Sequence, residues 1–356
     1  MAVLSGRDPS AVRQAAALLA AGKLVAFATE TVYGLGARAD DDAAVARIYT
    51  AKGRPSGHPL IVHVADVAAA VAFADPISPM VQRLMAAFWP GPLTLIVPRR
   101  AGVATAAAGG QNTIGLRLPA HPVALALLRE AAALGVAGVA APSANRFGRV
   151  SPTQALHVVA EFGPGLAVLD GGACDIGIES AIVDCTGERP ALLRPGQLGR
   201  ARLEAVLGSP LAAPDADSPR APGTLASHYA PRAPVRLFSA HRPPWVTTPS
   251  APSVPGVPAA PGASGATGGP GVYSCVVPSA RFVSAGWRHR AMPTSAAAVA
   301  HELFSVLREF DAEGVSAIWV ERPPPGPAWD GVCDRLQRAA AKAFQARPST
   351  PNSEQK

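Results

Sequence analysis

The chain has 356 residues, of which 49% are hydrophobic and 16% are charged, and its formal net charge is +7. This composition supplies enough apolar surface for a core and excludes global disorder, while the length favours two domains. Charges and prolines interrupt the apolar runs before they could span a bilayer, and residues 1–22 contain Arg7, Asp8 and Arg13 but no signal-peptide core. A cytoplasmic protein is therefore predicted.

The positive net charge favours an anionic partner, but cations and acids nearly balance over residues 1–230. Cations in that part must therefore act through their positions. The cysteines are scattered, without a CxxC pair or a histidine at metal-ligand spacing, so they are interpreted as structural thiols and no protein metal site is predicted. They are Cys174, Cys185, Cys275 and Cys333.

Helix and strand patterns alternate over the first 210 residues. One predicted helix is expected to begin at a Ser151 N-cap with Pro152 at the next position. The mixture of βα units and consecutive strands predicts an α/β fold, an open, twisted, mixed sheet covered by helices. Helices are predicted over 9–22, 40–53, 79–89, 121–135, 151–163 and 200–208, and strands over 23–29, 59–64, 93–98, 113–119, 136–142, 166–170, 180–184 and 191–196.

Proline recurs so often over residues 211–233 that a surface linker is predicted there. A small C-terminal α/β domain is expected over 234–356, with two βα units that predict a parallel, Rossmann-like sheet. Within it, residues 243–271 carry many prolines and glycines and no charge, and this insert is predicted to be disordered.

The loop AKGRPSGHP, residues 51–59, concentrates charge in a weakly charged chain. Lys52 offers a point charge and Arg54 a planar fork for phosphate oxygens, and the glycines and prolines stiffen the loop. A solvated helix C-terminus, where cations complement the dipole, explains the same residues. The nearby Gly34 and Gly36 lack the third glycine of a dinucleotide fingerprint, and the chain contains no P-loop motif.

Polar side chains recur where later strands begin or end. Arg117 lies between two leucines in a strand, and Ser143, Asn145 and Ser151 follow an apolar strand. In open α/β sheets, loops after the carboxyl ends of strands bind ligands. An ordinary surface ion pair for Arg117 and ordinary turn or cap chemistry for the serines remain open as alternatives.

Further motifs carry the same residue types. Ser180 begins the strand of GIESAIVD, and Arg194 ends the strand of LLRPG. ASHYAP places His228 and Tyr229 in a linker of small residues, which indicates that the linker folds back onto another part of the chain. His63 in PLIVHV is by itself typical of a core histidine with a structural partner.

Taken together, TETVYGLG, KGRPSGHPL, PSAN, ES-x-IVD, LRPG and HYAP resemble the YrdC-type threonylcarbamoyl-AMP synthases in their long, two-domain form. The similarity extends over residues 9–210, and HYAP and DRLQRAAAKA (334–343) resemble the C-terminal part of the long form. The resemblance implies a YrdC-like catalytic domain over residues 1–210 with a concave basic cavity, followed by a linker or lid over 211–233 and the small C-terminal domain.

The resemblance implies conversion of L-threonine, bicarbonate and ATP to threonylcarbamoyl-AMP and pyrophosphate, with Mg²⁺ accompanying ATP. The product would pass to the tRNA threonylcarbamoyl transferase machinery, which makes N6-threonylcarbamoyladenosine; direct tRNA binding is compatible but not required. The implied catalytic signature is Lys52, Arg54, Ser143 and Asn145. Threonine would be bound by Thr31, His63, Arg117, Ala141 and Ser180, and ATP by Arg54, His58, Thr113, Ser143, Ser151, Arg194 and His228.

The chain departs from the family pattern at Ala181, where a threonine usually follows the serine, and in the proline-rich insert. Two alternatives to the synthase were considered. An RNA-binding module without adenylylation activity would interleave cations with exposed aromatics, but aromatic residues make up only 5% of the chain. Carbamoyl transfer of the hydrogenase-maturation type would require zinc-finger cysteines, which the sequence lacks.

Overall fold

The computed structural model describes residues 3–241, 243–244, 268–276 and 286–344. Its larger sheet is built from strands β1 (Val3–Ser5), β2 (Val25–Phe27), β3 (Gly34–Arg38), β4 (Ile61–His63), β5 (Leu93–Pro98), β6 (Thr113–Arg117), β7 (Val139–Ala140), β8 (Ala167–Asp170), β9 (Ala181–Asp184) and β10 (Ala191–Arg194). They are arranged in the order β1-β8-β2-β3-β7-β4-β6-β5-β9-β10. Parallel pairs such as β4–β6 adjoin antiparallel pairs such as β5–β6, so the predicted mixed α/β sheet is confirmed.

Helices cover both faces of this sheet because its strands alternate their side chains between two cores. Val25 and Phe27 of β2 join the cluster beneath α1 and α5, whereas Ala26 joins the cluster beneath α2, α4, α6 and α7. The helices are α1 (Pro9–Ala20), α2 (Asp42–Lys52), α3 (Val67–Ala70), α4 (Pro79–Phe88), α5 (Pro122–Ala133), α6 (Ala155–Phe162) and α7 (Arg200–Leu207).

The second, smaller sheet contains four parallel strands in the order β11-β14-β12-β13. Their bounds are β11 (Val235–Phe238), β12 (Gly271–Ser274), β13 (Arg288–Ala291) and β14 (Ile318–Glu321), and they pack with α8 (Ala296–Ala312) and α9 (Asp330–Phe344). The predicted small parallel α/β unit is confirmed. Most of the predicted insert, residues 245–267, lies outside the described residues.

The two parts share one apolar cluster. Val32, Val150 and Ile178 from the larger part pack with side chains of α8 and α9, including Phe304 and Leu336. The surface linker was predicted incorrectly in its second half, because residues 228–231 are buried whereas residues 213–217 are exposed. The linker therefore folds back between the two parts, as the His-Tyr pair indicated.

Several local predictions were wrong. The Ser151 N-cap is not formed: α6 begins at Ala155, Gln154 occupies the cap position without a side-chain bond, and the Ser151 hydroxyl bonds Glu179 instead. GLGAR, considered above only as a possible dinucleotide fingerprint, forms β3. The short strands β1 and β13 and the one-turn helix α3 were not predicted either.

The cysteines are all free thiols, and Cys174 and Cys185 are buried. Burial raises the pKa of Cys185 to about 12 and raises that of Cys174 as well, which makes both thiols poor nucleophiles. The described residues contain no group of three or more His, Cys, Asp or Glu side chains that could hold a metal ion. Within the same residues, no helix is long and apolar enough to cross a membrane.

Candidate active site

One cleft collects the polar loops of the larger sheet and the folded-back linker. Its walls come from the turn between β2 and β3, the ends of β4, β6, β7 and β10, the residues before β9, and the linker. It is lined by Thr29, Thr31, Val32, Gly34, Arg54, Ile61, His63, Arg117, Ala141, Pro142, Ser143, Glu179, Ser180, Arg194, Pro222, Gly223, His228 and Tyr229.

Most of the residues predicted for the site lie in this wall. All the predicted threonine-binding residues line it, namely Thr31, His63, Arg117, Ala141 and Ser180. Of the residues predicted for catalysis or ATP, the wall contains Arg54, Ser143, Arg194 and His228. The wall does not include Lys52, His58, Thr113, Asn145 or Ser151.

Adjacent strands place Arg117 and His63 side by side, since they are register partners in the β4–β6 pair. The Arg117 guanidinium donates to the Thr31 hydroxyl at 2.9 Å, and its other terminal nitrogen lies 2.7 Å from a Glu30 carboxylate oxygen. Burial, with Arg117 adding to it, lowers the pKa of His63 to about 3, and its Nδ1 has no hydrogen-bond partner. This end of the cleft thus presents a fixed cation beside a neutral imidazole.

Two further arginines, Arg54 and Arg194, line the same cleft. Arg54 donates to the Pro59 carbonyl at 2.9 Å, lies 5.6 Å from the Phe147 ring centre, and has an Nε without a partner. Burial lowers the pKa of Arg54 to about 10. Arg194 bonds the Ser180 carbonyl at 3.1 Å and its hydroxyl at 3.2 Å, and burial lowers its pKa too. Both guanidiniums face the cleft and are bonded to carbonyls and a hydroxyl.

Lys52 and Asn145 support the wall from behind. The Lys52 ammonium donates to the backbone carbonyls of Ser143 at 2.6 Å and Asn145 at 2.5 Å, and burial lowers its pKa well below the usual value. The Asn145 amide donates to the carbonyls of Arg146 and Arg149. These bonds fix the loop after β7, which presents Ser143 to the cleft.

The remaining three predicted residues occupy separate places. Ser151 is fully buried and donates to a Glu179 oxygen at 2.5 Å. His58 lies near the rim, with its ring 5.5 Å from that of Phe147 in an edge-on contact, and burial lowers its pKa. Thr113 begins β6 and pairs with Pro98, at the opposite end of that strand from Arg117.

The linker closes the cleft. Tyr229 adopts a left-handed backbone conformation, with φ of 59°, and its ring stacks on Phe304 of α8 at 5.4 Å. The neighbouring His228 ring contacts it edge-on at 4.3 Å, and burial lowers the pKa of His228 to about 3. The C-terminal domain therefore holds this segment of the linker against the cleft.

The motifs of the sequence did not predict a role for Glu30, Glu179 or Arg335. Glu30 pairs with Arg117, and Glu179 lines the cleft and pairs with Arg335 of α9 at 2.8 Å. The only available signal was that the two glutamates stand inside the quoted motifs TETVYGLG and ES-x-IVD. Arg335 stands in DRLQRAAAKA, a helical segment whose pattern does not reveal a partner so distant in sequence.

Comparison with known proteins agrees with this geometry. A family model described as telomere recombination, covering the Sua5, YciO and YrdC proteins, matches residues 17–196, and one for the C-terminal domain of threonylcarbamoyl-AMP synthase matches residues 198–341. The chain is 38% identical over 344 residues to the threonylcarbamoyl-AMP synthase of Bacillus subtilis, covering 95% of this chain and 94% of that one. It is 45% identical over 237 residues to that of Pyrococcus abyssi, covering 65% and 68%.

A solved structure resembles the whole chain. The crystal structure of P. abyssi Sua5 complexed with L-threonine matches with a TM-score of 0.79 at 32% identity, covering 94% of this chain and 95% of that one. An α/β sheet with a polar cleft at its strand ends, closed by a linker and a second α/β unit, defines the class of protein. The chain belongs to the Sua5/YrdC family of threonylcarbamoyl-AMP synthases, and the predicted family is confirmed.

Proposed function

We propose that this chain is a threonylcarbamoyl-AMP synthase that converts L-threonine, bicarbonate and ATP to threonylcarbamoyl-AMP and pyrophosphate. The observation that carries the proposal is the convergence of Arg54, Arg117 and Arg194 with the neutral His63 in one enclosed cleft. Full-length relatives that bear the synthase name, and a similar structure described as complexed with L-threonine, support it.

The cleft contains groups suited to each substrate. We expect Arg117 to bind the threonine carboxylate, because a guanidinium fork matches a carboxylate, with Thr31 and Ala141 beside it. We expect His63 to stay uncharged and to offer the threonine a hydrogen-bonding nitrogen, since its Nδ1 is unpartnered. Arg54 and Arg194 line the same cleft, where they would meet the phosphates of ATP.

The reaction requires positioning and neutralisation of charge. The threonine amine attacks the carbon of bicarbonate and water leaves, which gives the carbamate. A carbamate oxygen then attacks the α-phosphorus, and the bond from that phosphorus to the pyrophosphate oxygen breaks. Negative charge develops on the leaving pyrophosphate, where Arg54 and Arg194 stabilise it. No covalent nucleophile is needed, which fits a wall built from arginines, hydroxyls and neutral imidazoles.

Magnesium would enter as part of the Mg-ATP substrate. The carboxylates at the cleft are already engaged, because Glu179 bonds Ser151 and Arg335 and Glu30 pairs with Arg117. The described residues thus offer no carboxylate cage of their own for Mg²⁺, and the triphosphate is the natural ligand.

The RNA-binding alternative is not favoured. A module of that kind presents cations together with exposed aromatics on an open surface. Here Lys52, Arg54, Arg117 and Arg194 are all buried in or behind the cleft. The proposal also includes transfer of the product to the tRNA threonylcarbamoyl transferase machinery. It further includes a cytoplasmic location for the synthase.

The test is pyrophosphate release from Mg-ATP with threonine and bicarbonate present together and with each omitted in turn. The synthase predicts that release depends on both, and that threonylcarbamoyl-AMP accumulates in equal amount. Pyrophosphate release that continues unchanged when threonine is omitted would refute the proposal. Arg54→Ala provides the matched control for contaminating ATPases, since it should remove the activity of this site alone.

A further inference from the structure

Helix α9 of the C-terminal domain inserts one guanidinium behind the wall of the cleft. Arg335 is 0% exposed. Its Nε donates to a Glu179 carboxylate oxygen at 2.8 Å and its Nη2 to the Glu179 carbonyl at 3.2 Å. Its Nη1 donates to the Pro195 carbonyl at 3.0 Å and to Asp334 at 2.7 Å. Every nitrogen of the fork is therefore bonded.

The partners of Arg335 flank two cleft residues in sequence. Glu179 immediately precedes Ser180, and Pro195 immediately follows Arg194. Ser180 and Arg194 are themselves joined by two hydrogen bonds, through the Ser180 carbonyl and its hydroxyl. One buried guanidinium thus holds the backbone next to both members of the Ser180–Arg194 pair in the cleft wall.

The same guanidinium also supports the linker. It lies 5.3 Å from the centre of the Tyr229 ring, whose other neighbours include Phe304 and His228. Cation–π contacts gain strength when the cation is removed from water, as Arg335 is. Arg335 therefore touches each of three segments, those that carry Ser180, Arg194 and Tyr229, without itself lining the cleft.

We propose that Arg335 is a positioning residue through which the C-terminal domain sets the positions of Ser180 and Arg194 in the cleft wall. The inference rests on the proposed function. It assigns Arg335 the task of holding the backbone at Glu179 and Pro195, and with it the neighbouring Ser180 and Arg194, in the wall of the cleft. The fork geometry matters as much as the charge, because only a fork reaches a carboxylate and two backbone carbonyls together.

A second interdomain ion pair provides the matched control. Arg149 of the larger part lies 3.0 Å from Asp311 of α8, but its side chain is 31% exposed and lies outside the cleft wall. Arg149→Gln removes an attachment between the same two parts and leaves Arg335 and Glu179 in place. A purely structural role for Arg335 would make the two substitutions alike in every readout except their effect on stability.

The experiment compares Arg335→Gln, Arg335→Lys and Arg149→Gln with the unaltered full chain, measuring kcat, both substrate KM values and Tm. Arg335→Gln should lower kcat on the order of 10²-fold, because a displacement of about 1 Å near the reacting groups has that effect. The KM for threonine should change less than kcat, since Ser180 is the one predicted threonine-binding residue in the displaced segment and Arg117 lies on another strand. Arg335→Lys should recover Tm more fully than kcat, and Arg149→Gln should keep kcat within about twofold, as expected for a site away from the chemistry.

The double variant Glu179→Gln/Arg335→Gln covers the case in which Arg335→Gln alone does not fold, because it leaves no unpaired buried carboxylate. A folded double variant with low kcat supports the proposal, and one with normal kcat overturns it. Normal kcat in Arg335→Gln with only a lower Tm also overturns it. If the unaltered chain shows no threonine-dependent turnover, the proposed function fails, and the role of Arg335 fails with it.

Discussion

Gly177 lies in the segment before β9 that leads to Glu179 and Ser180 of the cleft wall, here called the cleft segment. It contacts helix α8 and has no room for a side chain. Its φ is +83°, and a Cβ there would lie 2.3 Å from the His301 carbonyl oxygen and 2.4 Å from that of Ala300. Gly172, in the same segment, has φ of +90° with no atom within 4 Å of the added Cβ. The two glycines therefore share a backbone conformation and differ in the space beside them.

Substituting alanine at each position separates backbone strain, which both positions share, from the steric clash with α8, which only Gly177 of the two would have. Gly172→Ala should cost about 1–2 kcal/mol, the price of a left-handed L-residue. Gly177→Ala adds the displacement of α8 by roughly 1 Å, and overpacking of that kind costs about 1–3 kcal/mol more. The shift would also reach Glu179, two residues further on, so turnover should fall in Gly177→Ala and persist in Gly172→Ala.

Urea unfolding and threonine-dependent pyrophosphate release, measured on both variants, test this reasoning. The free energy of unfolding should decrease more for Gly177→Ala than for Gly172→Ala, with kcat lost in the former alone. Equal stability and equal turnover in the two variants would refute the claim that close approach of α8 holds the cleft segment in place.

Three further outcomes follow from the cleft. Arg54→Ala should leave the fold intact, as circular dichroism would show, since the Arg54 side chain bonds only one carbonyl in the described part of the chain. Turnover assays should show that kcat falls by about 10²–10³-fold, because the stabilisation of the phosphates is lost. Arg117→Lys should raise the KM for threonine more than that for ATP, because an ammonium cannot pair bidentately; an equal rise in both would contradict its assignment. His63 and His228 have pKa values of about 3 in the folded chain, against about 6.5 in the unfolded chain. As pH falls below about 6.5, the unfolded chain therefore binds protons at these histidines while the folded chain does not. The free energy of unfolding should decrease by about 1.4 kcal/mol per pH unit for each histidine. Urea titrations at several pH values should show a shallower acid slope in His63→Gln.

Local chemistry made much of the fold and cleft predictable. Pro122 and Pro79 at helix starts, Asp41 as the N-cap of α2, and the β-branched strands all left a signal in the sequence. The strand-end loops were predicted to carry the ligand groups, and the cleft lies at those loops. Short polar strands such as β13, with the sequence RHRA, carry no such signal because neighbouring strands alone define them.

Long-range pairing could not be predicted from one sequence. Serine is a favourable N-cap residue, but in the folded chain the Ser151 hydroxyl donates to the Glu179 carboxylate and does not cap the helix. Lys52 was interpreted as a phosphate ligand, whereas its ammonium is bonded to two carbonyls of a loop more than ninety residues away. In both cases the hydrogen-bond partner is distant in sequence, so the local pattern cannot predict it.

The charges of the cleft explain why it requires an anion. Arg117 has Glu30 as its counter-ion, and Glu179 is held from behind by Arg335. The hydrogen-bond partners described for Arg54 and Arg194 are carbonyls and a hydroxyl, and burial lowers the pKa of both, although the nearby Glu179 opposes this for Arg194. A buried cation is costly unless its charge is compensated. A bound polyphosphate would supply that negative charge to both guanidiniums. Without Arg335, the Glu179 and Pro195 carbonyls lose their shared donor, so the Arg194 guanidinium would be less well placed for the phosphates.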